Sequence, residues 1–256
     1  MKKALSFILL VIAFGVAQDE FFEPGHTIAG YGELHLNKET NNNGENTKNK
    51  MDFHRFVLFY GYSYNEKWSF KSEVELEHNM VGGSYGGYME LEQAYLNYHS
   101  GDGGFRVGVL LGEAGYINTV HEPPTFFSVE RPDYHNSVIP TTWFGNGFGL
   151  YGSNFGIDWT INILEDFKGS GLVDKDGIRS ARGKGSTSTI ESWTKNIRVD
   201  YNGMPGINIG GSMTINDAPI FDTDGVTNSA ENNHPGMCPQ QSFATHNKDL
   251  EKYTVI

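Results

Sequence analysis

The stretch Trp68–His78, WSFKSEVELEH, constrains the fold more than any other. Trp68, Phe70, Val74 and Leu76 share one parity, and Lys71, Glu73, Glu75 and Glu77 share the other. That is the period-two pattern of a strand, whose successive side chains point to opposite faces. One face is oily and the other heavily charged. A soluble antiparallel sheet can also present a wet face, so the carboxylates look into bulk water, a catalytic cleft or an aqueous pore.

The same alternation recurs at Ile28–Asn37, Phe53–Ser63, Tyr88–Tyr98, Phe105–Glu113, Trp143–Tyr151, Phe155–Leu164, Ser192–Tyr201 and Ile207–Ile215. Each segment is close to the 9–11 residues that a tilted strand needs to cross a bilayer. The connections alternate long and short. The long ones are Lys38–Asp52, Asn79–Gly87, Ala114–Thr142 and Glu165–Glu191; the short ones are YNEK, HSGDGG, GSN and NGMPG, all rich in turn formers. A transmembrane barrel shows this asymmetry because its short turns face the periplasm and its long loops face outside. Tyr60, Tyr62, Trp68, Phe70, Tyr98, Phe105, Tyr151, Phe155 and Tyr201 flank the short turns, as an interfacial aromatic girdle would. Sandwich edges also favour aromatic residues, and a hydrophobic content of only 38% fits either architecture.

The expected fold class is therefore all-β, an antiparallel transmembrane β-barrel. Lipid does not solvate charge, so Glu33, His35, Arg55, Lys71, Glu73, Glu75, Glu77, Arg106, Asp158, Arg198 and Asp200 are assigned to a wet lumen. By the same parity Leu34, Leu36, Phe56, Leu58, Val107, Val109, Ile157 and Trp159 look outward. Two places depart from the pattern. YMELEQAYLNY changes parity near Glu92, which suggests a bulge, and Lys195 falls on the apolar parity, where it would snorkel.

Residues 1–18 join Lys2 and Lys3 to an apolar run and then to small residues, as a secretory signal peptide does. No later segment approaches the roughly 20 apolar residues of a spanning helix, which excludes a helical membrane protein. The formal charge is −12 and becomes −14 when both leader lysines leave, which makes nucleic acid an unsuitable partner. Cys238 is the sole cysteine, so no internal disulfide framework holds the exported chain.

Gly115–Gly152, GYINTVHEPPTFFSVERPDYHNSVIPTTWFGNGFGLYG, resembles bacterial outer-membrane porins of the phosphate-selective O and P family, in which a comparable His-Glu-Pro-Pro-Thr-Phe stretch lies between barrel strands. DGIRSARGKGS and DYNGMPGINIGGS look like later parts of the same family. The resemblance covers about Ile28 to Ile215 and implies a sixteen-stranded, trimeric pore in the outer membrane, reached through the periplasm. Its partners would be outer-membrane lipid and small hydrophilic solutes or ions. Phosphate selectivity does not carry over, because its lumenal Arg and Lys sites have no residue-by-residue match here. The acidic third strand instead favours cations.

In this reading residues 19–215 are the first part of a barrel, about nine strands, with an inserted loop at 114–142; residues 216–256 are a loop or incomplete tail. Nine strands do not close a bacterial barrel, which uses an even number, so the chain reads as truncated. The inserted loop is stiffened by Pro123, Pro124, Pro132 and Pro140. Folded inward, it would present His121, Glu122, Glu130, Arg131 and Asp133 to the pore; the alternative is an external cap.

Enzyme chemistry finds little footing. Glu73 with Glu75, or Glu90 with Glu92, lie about 7 Å apart on a strand face and could form a glycosidase pair, but such residues are far more often solvated. HEPPT lacks the second histidine of a zinc helix, and its prolines forbid that helix. His54, His78, His99 and His135 are scattered and read as polar surface residues, with weak metal binding in a loop as the alternative. No cofactor is expected. Two other functions stay open: a non-conducting outer-membrane anchor or surface-binding barrel, and a secreted β-sandwich binding module.

Overall fold

Alternating sequence becomes antiparallel ladder almost throughout the computed structural model. It describes residues 22–82, 86–125, 141–172, 176–185, 187–218, 220–221, 227–228 and 253–255. The all-β expectation holds. Among the described residues helix is limited to single turns such as Gly169–Leu172 and Ile178–Ala181, and none there is long and apolar enough to cross a membrane.

The chain falls into two units, Met1–His99 and Ser100–Ile256. In the first, β1 (Gly25–Thr40), β2 (Asn46–Ser63), β3 (Trp68–Glu77) and β4 (Met89–Ser100) form a meander, each strand antiparallel to the next. The second contains β5 (Gly103–Leu111), β6 (Phe144–Asn154), β7 (Ile157–Leu164), β8 (Thr194–Met204) and β9 (Ile207–Asn216), joined in the same way. The short β10 (Ile220–Phe221) pairs with β11 (Thr227–Asn228), and β12 (Tyr253–Val255) pairs with β9.

Two sequence expectations need correction. Most of Lys38–Asp52 is ladder and not loop, because β1 and β2 stay paired until a five-residue turn at 41–45. Asn41 closes that turn, its Oδ1 accepting the backbone N–H groups of Asn43 and Glu45 at 3.0 Å each. Polar residues on both faces do not prevent pairing when every backbone group still finds a partner. The second correction concerns GSN, which belongs to β6. The corner is Phe155–Gly156, with φ of 54° and 75°, so both central residues are left-handed, as in a two-residue type I′ hairpin. The β8–β9 corner uses Pro205 followed by Gly206 at φ 78°, the arrangement of a type II turn.

Burial runs opposite to that of a water-soluble sheet. Phe56 is 44% and Leu58 39% exposed, whereas Glu73 and Glu75 on the paired strand are 1% and 3% exposed. In the second unit Phe148, Leu150, Ile157, Trp159, Ile161, Ile197, Val199, Ile209 and Met213 are exposed, while Asn162, Thr194, Asn196, Thr214 and Asn216 are buried. A few apolar side chains, among them Val57, Leu110 and Leu164, are buried with these polar groups. Glycines let β6 and β7 approach: a Cβ at Gly147 would lie 2.0 Å from the carbonyl oxygen of Ile163.

Candidate functional site

In the first unit the polar parity of β1, β2 and β3 converges on Arg55. Its Nε lies 2.9 Å from Glu33, and its terminal nitrogens lie 3.0 Å from Glu75 and 3.7 Å from Glu77. The register makes this convergence: Glu33 stands opposite Arg55, and Arg55 opposite Glu77. One guanidinium faces three carboxylates, a formal charge of minus two, and acid stays in excess even with one carboxyl protonated. Beyond it, Gln93 donates to Glu73 at 2.5 Å.

Toward the long-connection end of β2 a second group gathers. The β1–β2 register slips between Glu33 and Leu34, so that Glu33 pairs with Arg55 but Leu34 pairs with Phe53, and His54 is the extra residue. Such a bulge re-aims side chains. Asp52 and Arg55 consequently both join the polar side, and Phe53 lies over Gly32, where an added Cβ would come within 2.7 Å of its ring. His78, just past β3, has φ 59°, and its N–H donates to the carbonyl of His54 at 3.0 Å. Asp52 then meets His78 Nδ1 at 2.9 Å, Lys50 Nζ at 3.0 Å and His54 Nδ1 at 3.5 Å. The His35 ring stacks on His54 at 4.4 Å and 8°, and its Nε2 reaches Glu33 at 2.5 Å. Asp52 precedes the Phe53–Ser63 stretch. Burial acts to raise its pKa, but hydrogen bonds from His78 and Lys50 outweigh it and hold the carboxyl down to about 2.

In the second unit, the segment after β5 folds onto the polar parity of β8 and β9. Glu113 N–H donates to Asn196 at 2.9 Å, Gly115 N–H donates to Ser212 at 2.7 Å, and Arg198 donates to the Gly115 carbonyl. Asn118, fully buried, donates to the carbonyls of Gly112 and Trp143 at 2.6 and 2.7 Å and accepts from Trp143 N–H at 2.9 Å. The segment after β7 is fastened similarly. Asp166 accepts from Ser192 N–H and Oγ at 3.0 and 2.9 Å, and Glu165 from Asn146 N–H at 3.0 Å.

Of the residues assigned to the lumen, Glu33, His35, Arg55, Glu75 and Glu77 form one cluster, with Glu73 buried on the same face. Lys71 stands apart and exposed. Arg198 and Asp200 make a two-pronged ion pair at 2.5 and 2.7 Å. Arg106 lies over the Tyr151 ring at 4.4 Å and reaches toward Glu113 at 3.9 Å, and Asp158 accepts from Asn202. His121 is buried, its Nδ1 donating to the Asn118 carbonyl at 2.8 Å and its Nε2 lying 3.7 Å from half-buried Glu122. Glu130, Arg131 and Asp133 lie outside the described residues, as does residues 1–18 of the leader.

Sequence reasoning passed over Asn118, Asn162, Asn196, Thr214, Asn216 and Asp166. The strand members among these carry the same alternation as the charged positions, only without charge. It also passed over the meeting of His54 with His78, because scatter along the chain hides proximity in the fold.

A protein of Aquifex aeolicus (strain VF5), described as uncharacterized, is 36% identical over 195 residues, covering 75% of this chain and 44% of the relative. The chain therefore spans less than half the length of that relative. No protein-family model matches the chain. Solved structures with some likeness include a loop L8 deletion mutant of OmpT, an outer membrane protein of Vibrio cholerae, at 13% identity and TM-score 0.28, covering 74% of this chain and 69% of that one. The trimer form of OmpT matches at 12% identity and TM-score 0.28, over 75% and 65% of the two chains. At those scores the likeness decides nothing.

Proposed function

We propose that the chain is part of an outer-membrane β-barrel whose polar interior passes small hydrophilic solutes and ions, cations in preference to anions. The observation that carries this reading is the reversal of burial, with Phe56 and Leu58 outside and Glu73 and Glu75 inside. A continuous exposed apolar face is unfavourable in water and favourable in hydrocarbon. A secreted sandwich would need the opposite arrangement. The porin resemblance of Gly115–Gly152 supports the same reading, with export through the periplasm, a trimeric assembly and no enzymatic chemistry.

The excess of carboxylate around Arg55 supports cation preference, since acidic linings raise the local cation concentration. The test is conductance in a planar lipid bilayer, with the reversal potential read across a salt gradient. Stepwise openings with cation preference are expected; clear anion preference contradicts the selectivity.

A second reading has its own observation. The inner side chains are closely packed and hydrogen-bonded, as in small barrels filled by side chains. This favours a non-conducting anchor, which inserts into the bilayer and passes no current.

A further inference from the structure

We infer that Asp52, His54 and His78 bind a divalent transition-metal ion of the zinc class. One carboxylate and two neutral imidazoles suit borderline cations such as Zn²⁺, Co²⁺, Ni²⁺ or Cu²⁺; Ca²⁺ and Mg²⁺ prefer ligand sets made of oxygen alone. The candidate donor atoms of the three residues all lie within 4.8 Å of one another. A tetrahedral ion with bonds of about 2.0–2.2 Å holds its donors roughly 3.3–3.6 Å apart. Asp52 Oδ2 lies 3.5 Å from His54 Nδ1, within that spacing, and Oδ1 lies 2.9 Å from His78 Nδ1, a direct hydrogen bond that must lengthen by about half an ångström to admit the ion. All three residues are half-buried, so small side-chain rotations complete the set and leave a fourth position open to water or a solute.

The cluster is assembled by two departures from regular alternation that meet at this point. The bulge supplies His54 beside Asp52, and the left-handed backbone at His78 turns its ring back toward them. The His35 ring lies parallel to His54 at 4.4 Å and packs against its face, and Glu33 in turn holds His35. Lys50 is the opposing group, since its ammonium lies 3.0 Å from Asp52 and must swing away before a cation enters. The Lys50 side chain is about half exposed and free to do so. Metal binding here requires no conduction and is independent of the pore reading.

The test uses the untagged full chain folded in detergent. Co²⁺ is titrated first, and visible absorption is followed on the wild type. One equivalent should give ligand-field bands, which Zn²⁺ displaces; absence of such bands overturns the inference with no variant needed. Calorimetric Zn²⁺ titration then compares variants. Replacing His54→Gln and His78→Gln together should weaken binding by about 100-fold or more, Lys50→Gln should tighten it several-fold, and His26→Gln, far from the cluster, should change nothing. Equal losses in the double variant and His26→Gln, or no effect of either, reject the site.

Discussion

Leu58→Arg tests the claim on which the membrane reading rests. Leu58 is 39% exposed on the apolar side of β2, five residues from Phe53 and five from Ser63. A strand rising about 3.3 Å per residue and tilted about 40° advances roughly 2.5 Å per residue along the membrane normal, which places Leu58 about 13 Å from either end of that stretch. In an apolar band about 25 Å tall that is the midplane. Arginine there costs about 2–4 kcal/mol, a roughly 30- to 700-fold shift in the folding equilibrium. Leu36→Arg, nearer the hairpin end of β1 and also exposed, should cost about 0–1 kcal/mol. Equilibrium unfolding from lipid vesicles, followed by tryptophan fluorescence, measures both. Equal small losses, or folding of Leu58→Arg in plain buffer as well as wild type, would refute the reasoning, because an exposed site on a soluble protein tolerates such a change within about 0.5 kcal/mol.

Arg55→Ala leaves Glu33, Glu75 and Glu77 without their shared cation and should destabilise the fold by about 3–5 kcal/mol in chemical denaturation. Gly147→Ala places a methyl carbon against the Ile163 carbonyl and should cost about 1–3 kcal/mol by forcing β6 away from β7, measured in the same assay. Phe155→Asn should gain about 1 kcal/mol, since asparagine accepts the left-handed φ of 54° more readily than phenylalanine; detergent unfolding reads the gain, and a loss would show that the ring anchors the corner.

The exposed apolar and buried polar faces were legible because charged and oily residues alternate strictly along the strands, and one irregularity was legible for the same reason. The parity change in YMELEQAYLNY is a real bulge: Gln93 pairs with Glu73 and Leu91 with Val74, leaving Glu92 as the extra residue. Lys195 likewise stands on the exposed apolar side. The bulge at His54 escaped notice although Phe53 carried its signal, an aromatic residue on the parity of Arg55. At the head of a strand one misplaced residue reads as a boundary and not as a slip. Phe155 misled in the opposite direction. Its aromatic character suggested a strand, whereas position between two ladders and the following glycine put it at the corner. The neutral polar layer of Asn162, Asn196, Thr214 and Asn216 was missed because asparagine and threonine do not forbid an outward position as carboxylates do; burial alone distinguishes them.

That neutral layer bears on which of the two membrane readings prevails. In the second unit, the segment after β5 gives its own backbone to Asn196, Arg198 and Ser212, all on the polar parity of β8 and β9. An external cap would hydrogen-bond strand ends and solvent, and would leave those inward side chains to water. The backbone groups of Glu113 and Gly115 instead bond to side chains on the polar parity of β8 and β9, so the start of the segment lies along that face of its own unit. Any solute moving along this face passes Gly115, Arg198 and Asp200, which line a cleft of about 390 Å³ with Tyr116 and Ser212. Tyr116→Ala, which trims a side chain lining this cleft, should therefore widen a conducting pore, whereas an anchor whose interior is filled by Asn196, Thr214 and Asn216 would remain silent after the same change.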